Sequence, residues 1–343
     1  MTMDKALKSR NNNYLLGLNG LRFIAALVLL LGHIEQSDFC DWGRPMPSLP
    51  LPGLCAYLFF VLSGVLAGYK VTSVKSVGEF YKRKAKRIFL VYYLYLAIVV
   101  LAFVLMGRKS DVLNSSLWFY IIPFGNIPFC QHTGLLPLVH LWYVGVLVEF
   151  YLIFPWLAKL KEHSLLKVSV AICIGWALMK WGLYLFVGKE TSIYRFFSCS
   201  SFDSLFLGVV VGIFLKDDDA RVKRIANNRW MAILSWLLFI SFGFYGRFIP
   251  APIRVEFFAL LSAFLILGQQ ADKPILRLEN GLCNWLGNIS YEFYVLQILI
   301  IILVAKWLAP LPSTFPTFSI YVVCVVAVTI IAFGVNRICK VFG

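Results

Sequence analysis

Stretches of about twenty apolar residues recur along this chain with short polar breaks between them, and that repetition leaves few folds open. A twenty-residue window places ten of them near 15–34, 53–70, 87–106, 139–157, 167–187, 200–215, 230–246, 252–268, 285–306 and 317–338. Inside hydrocarbon a backbone amide has no water to bond, so each stretch is predicted to be a helix that satisfies its own hydrogen bonds. Hydrophobic residues make up 60% of the chain and charged ones 14%, a balance that excludes a soluble domain of this length. The expected fold class is therefore an all-α integral membrane protein of about ten transmembrane helices. Loops are mostly under about twenty residues, so residues 1–343 read as a single transmembrane domain with no separate soluble domain. No internal repeat or low-complexity tract is visible.

The net charge of +15 raises nucleic acid as a partner, and the placement of the charge argues against it. With ten spans and a cytoplasmic N-terminus, 22 of the 32 Lys and Arg fall in cytoplasmic segments. The positive-inside rule accounts for this and puts both termini in the cytoplasm, as expected for a multi-pass protein of the inner (plasma) membrane. The first span carries Arg22 and has no small-residue cleavage pattern, so it reads as an anchor.

Charge within a span is expensive and marks function by default. Arg22 and His33 share the first span eleven residues apart. That is about three helical turns plus 20°, so they occupy one face about 16 Å apart. The expectation is that guanidinium and imidazole look into one shared cleft. The plainer readings are an arginine snorkelling to the headgroups and a histidine satisfied by a loop. At the mouth of the third span, Lys82 through Arg87 hold five basic residues in six positions. They orient a helix on anionic lipid, or they clamp phosphate through Arg83, Lys84 and Arg87. In the second span, Gly64 and Gly68 permit close helix approach, and Ser63 with Gly64 also leaves room for a thin ligand arm. Glu149 lies about 13 Å below His140 on the fourth span and needs a partner or a proton, while His140 reads as interfacial. Asp203, Glu256, Glu292 and Lys180 are further charges in spans with no pairing evident. Cys40, Cys55, Cys130 and Cys199 fall at outer ends of spans, as disulfides or as small buried hydrophobes. No Cys and His spacing suggests a metal.

Taken in order, these blocks resemble the membrane-bound acyltransferase family 3, whose members include O-acetyltransferases of cell-surface polysaccharides. Asn19-Gly20-Leu21-Arg22 with His33 resembles its opening DGLR block and its Arg-ten-residues-His motif. Leu58 through Gly64 is similar to FFVLSG, Arg83 through Ile88 to RRxxRI, and His140 through Pro155 to HLWSLxVExxFYLxxP. Phe202-Asp203 through Gly208 is similar to an FxxGxxxG segment, and Leu286 through Leu296 to LGxISYxxYLxH. Four departures stand out. Lys84 replaces an Arg of the basic block and Val65 the usual Phe after Ser-Gly. Leu147 and Val148 occupy the usual acidic positions ahead of Glu149. Gln297 stands where the last block often has His.

The resemblance implies transfer of a small acyl group, acetyl first, from cytoplasmic acyl-CoA to a hydroxyl of an extracytoplasmic glycan or lipid-linked saccharide. It implies donor binding by Arg22, Ser63, Gly64, Arg83, Lys84 and Arg87, His33 as general base and Glu149 as a second catalytic group. Tyr291 and Ser63 are candidate oxyanion donors, and Asp203 is a further candidate. Acyl-CoA serves as substrate, no bound cofactor and no metal are expected, and membrane lipids and a homo-oligomeric copy are the expected partners. Two competing readings are a transporter of a small or lipid-linked solute and a non-catalytic member of a glycan-assembly complex.

Overall fold

In the computed structural model the described residues are 15–36, 51–108, 116–245, 248–308 and 317–342. Fifteen helices are described among them. They are α1 (Leu18–Gln36), α2 (Leu51–Tyr69), α3 (Val77–Leu105), α4 (Leu117–Ile121), α5 (Asn126–Cys130), α6 (Trp142–Leu157), α7 (Glu162–Phe186) and α8 (Ser192–Ser200). There follow α9 (Phe202–Lys216), α10 (Ala220–Ala226), α11 (Arg229–Tyr245), α12 (Ala251–Gln269), α13 (Gly281–Asn288), α14 (Ser290–Leu308) and α15 (Thr317–Phe342). Eight helical segments are long and apolar enough to cross a membrane, and Gly53–Tyr69 and Arg229–Phe242 are shorter apolar helices. The protein is a multi-pass, all-α membrane protein.

Several boundaries differ from the hydropathy reading, each for a local reason. Helix α3 begins at Val77, ten residues ahead of the expected span, because Ser76 caps it by accepting the Glu79 backbone N–H at 3.5 Å. The basic run 82–87 is therefore helix rather than loop. The stretch expected at 285–306 is two helices, α13 and α14, that meet at Ile289. Before α9 the chain turns at Ser201, whose φ of 42° lies in the left-handed region.

Helices α2 and α9 form the tightest seam of the bundle. A Cβ on Gly64 would strike the Leu205 carbonyl and lie 3.0 Å from the Gly208 Cα, while one on Gly68 would strike the Val209 carbonyl. Reciprocally, Gly208 and Gly212 face the carbonyls of Val61 and Val65. Two small-xxx-small stripes thus let the backbones touch, the packing that lipid-embedded helices rely on. Gly64 is spent on this contact.

The first turn of α1 is held by distant side chains. Glu279 accepts the Gly17 N–H at 2.8 Å, and Gln270 accepts the Leu16 N–H at 3.1 Å while donating to the Leu16 carbonyl at 2.8 Å. These bonds satisfy backbone groups that a helix start leaves open, and the Glu279 carboxylate complements the positive end of the helix dipole. They fix the height at which Arg22 enters the bundle.

At the other end of the bundle, Lys180 of α7 is 1% exposed and pairs with Asp203 of α9 and, at 2.6 Å, with Glu256 of α12. Helix α7 is otherwise mostly lipid-facing, so this triad pins it to the core. Glu292 instead accepts a 2.6 Å bond from Asn336. Lys180→Met leaves two carboxylates facing each other without a cation and is expected to cost ~3–5 kcal/mol, read as a lower melting temperature in detergent. Adding Asp203→Asn and Glu256→Gln to that variant should recover most of the loss; a triple variant no more stable than the single one contradicts the assignment.

Candidate functional site

Two cavities of opposite character occupy the bundle. The first, about 620 Å³, opens at the end where α2 finishes and α3 begins. Arg22 lines it from α1, Lys70 from the turn after α2, and Arg83, Lys84 and Arg87 from the first turns of α3. Helix α3 puts residues three and four apart on one face, so its three cations converge on the cavity. Burial and then the charges of Arg22, Arg87 and Lys84 pull the Lys70 ammonium below the usual lysine range. Cations this crowded raise one another's energy, and a polyanion seated among them relieves it. Lys84 is also held 3.9 Å over the ring of Tyr151, which fixes its position as a guanidinium fork would not need. Lys70 was not among the residues expected from sequence; its only signal was its place beside the second span.

The second cavity, about 600 Å³, opens at the opposite end and is lined by His33, His140, Tyr57, Trp142, Phe129 and Arg254 among others. His33 and His140 pack edge to face with ring centroids 6.5 Å apart. His140 is 4% exposed, and its Nε2 donates to the Val295 carbonyl at 2.9 Å, which leaves Nδ1 as the lone-pair nitrogen. It is a core residue rather than an interfacial one. The Gln297 amide lies beside the His33 imidazole without full alignment: both its polar atoms, His33 Nδ1 and His140 Nδ1 are buried with no well-formed partner among the described residues. Four polar atoms in one apolar region form a set that a ligand's hydroxyl and carbonyl groups can complete.

Arg22 and His33 do not look into one shared cleft. Each borders its own cavity, and Tyr294 lines both. The wall is built of rings: Tyr294 packs on Tyr143 at 5.4 Å and on Phe59 at 6.4 Å, and Phe60 lies 4.7 Å from Tyr143. The Tyr294 hydroxyl donates to the His140 carbonyl, which latches the ring. Helix periodicity put the two charges on one face and said nothing of the aromatic side chains that fill the space between them.

The remaining residues are placed as follows. Ser63 lines the basic cavity with its Oγ 3.4 Å from the Tyr143 hydroxyl. Tyr291 lines it too, and its hydroxyl donates to the Ile88 carbonyl at 2.9 Å. Glu149 borders neither cavity and accepts a 2.8 Å bond from Asn126 of α5. Asp203 belongs to the Lys180 triad. Cys55, Cys130 and Cys199 carry free thiols, and the Cys130 and Cys199 side chains lie beside one another where α5 meets α8; Cys40 lies outside the described residues. Among the described residues no group of three His, Cys, Asp or Glu is arranged to hold a metal.

The family model described as "Acyltransferase domain" matches residues 15–337, and the chain belongs to that family. A Staphylococcus aureus (strain COL) protein named "Putative O-acetyltransferase SACOL0978" is 26% identical over 246 residues, which is 63% of this chain and 38% of that protein. "O-acetyltransferase OatA" of S. aureus (strain NCTC 8325 / PS 47) is 27% identical over 229 residues, 60% of this chain and 35% of that protein. The matched region thus spans little more than a third of either relative's length. No solved structure matches the chain.

The thiol contact offers a direct check on the walls of the second cavity. Mild oxidation of the membrane-embedded protein should join Cys130 to Cys199, removing two alkylatable thiols per chain in a peptide map. Cys130→Ser should abolish that loss, and recovery of both thiols alkylated after oxidation of the wild type rules the contact out.

Proposed function

From its membership of the acyltransferase-domain family, we propose that this chain is an O-acyltransferase of the cell inner (plasma) membrane. It moves a small acyl group, acetyl first, from cytoplasmic acyl-CoA to a hydroxyl of an extracytoplasmic glycan or lipid-linked saccharide. The observation that carries the reading is the pair of cavities meeting at Tyr294, cationic on one side and histidine-bearing on the other. The excess of Lys and Arg at the first cavity's end supports a cytoplasmic orientation for it. The names of the two relatives support acetyl as the group moved.

In this reading the phosphates of CoA sit among Arg22, Lys70, Arg83 and Arg87, where guanidinium forks match phosphate oxygens. The thin arm runs past Ser63, and a turn of the Tyr294 ring lets the thioester reach His33. Neutral His33 takes the acceptor's hydroxyl proton as that oxygen attacks the thioester carbonyl. The C–O bond forms, the C–S bond breaks, and His33 returns the proton to the departing thiolate. Gln297 orients the imidazole by accepting from one ring N–H, which leaves the other nitrogen free as base. Glu149 has no step in this scheme and serves to tie α6 to α5.

The test uses the full chain in liposomes with acetyl-CoA labelled in the acyl group. Wild type should consume thioester when an acceptor is present. His33→Ala should lower turnover by about 10²–10⁴-fold while CoA still binds. Arg22→Ala should raise the donor KM by roughly ten-fold or more with a smaller effect on kcat. Near-normal transfer by His33→Ala defeats the proposal, and movement of label across the bilayer with the thioester intact favours a transporter.

A further inference from the structure

The enclosed polar atoms beside the second cavity, His33 Nδ1, His140 Nδ1, Gln297 Oε1 and Gln297 Nε2, have donor and acceptor roles that can be worked out one by one. The Val295 carbonyl can only accept, so its 2.9 Å contact puts the His140 proton on Nε2 and a lone pair on Nδ1. His33 is half-buried and lines the cavity while its Nδ1 is enclosed, so Nε2 is the nitrogen that reaches the cavity. A neutral imidazole working as a base through Nε2 holds its own proton on Nδ1, and that enclosed N–H then needs an acceptor. The Gln297 amide brings an acceptor on one side and a donor on the other. It is fully buried beside His33. It also follows Tyr294 by three residues on α14, which places it on the helix face where Tyr294 packs against His140 at 5.5 Å. Two donors and two acceptors thus stand together with nothing else to satisfy them among the described residues.

We infer that these atoms form a one-way hydrogen-bond chain: His33 Nδ1–H donates to Gln297 Oε1, Gln297 Nε2–H to His140 Nδ1, and His140 Nε2–H to the Val295 carbonyl. Turning the amide into line satisfies all four atoms at once. The chain cannot run the other way, because its last member is a backbone carbonyl with no proton to give. His140 is therefore a positioning residue that acts through Gln297. An amide can present either its oxygen or its nitrogen to His33, and only the lone pair on His140 Nδ1 makes the two orientations unequal. With the oxygen toward His33, the imidazole is held in the tautomer whose free lone pair faces the cavity. This rests on the acyl-transfer reading for the word base, but the tautomers are a property of the fold.

The experiment is nitrogen NMR of the full chain in nanodiscs with histidine labelled in its ring nitrogens, where protonated and lone-pair nitrogens resonate apart. The chain has four histidines, and His132→Gln with His163→Gln removes the signals of the two exposed ones. The pair that remains should show His33 with its proton on Nδ1 and His140 with its proton on Nε2. Gln297→Leu should leave His33 as a mixture of tautomers and lower kcat with acetyl-CoA by roughly ten-fold or more at an unchanged donor KM. His140→Asn puts an oxygen near the lost Nδ1 and should keep most of the His33 tautomer and of kcat. His140→Gln keeps a donor for Val295 but not that acceptor, and should lose both; a purely structural role for His140 gives the reverse order and overturns the inference. If these variants fail to fold, the wild-type spectrum decides alone: a His33 proton on Nε2, or a His140 proton on Nδ1, defeats the chain. An unchanged His33 tautomer in folded Gln297→Leu defeats it as well. The expected tautomers with no thioester consumed leave the chain standing and count against acyl transfer.

Discussion

Everything around the two cavities is referred to the seam where α2 and α9 bring their backbones together. Gly64, Gly68, Gly208 and Gly212 remove the side chains that would hold these helices apart, and each backbone then rests on carbonyls of the other. Helix α2 is the common wall of both cavities, giving Phe59, Ser63 and Tyr69 to one and Leu54, Ala56 and Tyr57 to the other. With one face locked on α9, its opposite face meets α1 at a fixed rotation. The aromatic partition can form only if that rotation holds, because Phe59 and Phe60 reach Tyr143 from this helix. A seam with no chemistry of its own therefore sets the geometry of the chemistry.

Much of this was legible in the sequence because it is local. Apolar length gives a span, and a basic run at a span's mouth gives an electropositive end. Spacing along one helix sets the height between Arg22 and His33, and the structure puts each in a cavity at a different end of α1. What stayed hidden depends on which helices become neighbours. His140 meets the Val295 carbonyl across 155 positions, and Tyr291 meets Ile88 across 203. Gln297, Lys70 and Tyr294 acquire meaning only through such contacts.

Other differences come from features too short to show a period. Helix α5, five residues long, supplies Asn126 to Glu149, a link between segments that no periodicity along α6 foretells. The cap at Ser76 carries α3 beyond the hydrophobic stretch, and a window tuned to hydropathy stops where the polar residues begin. Lys180 was visible as a charge needing a partner. Its choice of both Asp203 and Glu256 is a matter of three-helix packing, and it explains why two acids tolerate one another so deep in the bundle.

The ring cluster between the cavities has a consequence for the cell as a whole. A protein with deep openings on both faces invites ions and protons to cross, and a membrane that stores energy as gradients cannot allow it. Tyr294, Tyr143 and Phe60 are packed at 5%, 6% and 0% exposure, so close-packed rings are what separates the two openings. The barrier is made of side chains, so a change of ring rotamer, with no shift of a helix, is enough to join or part the two cavities.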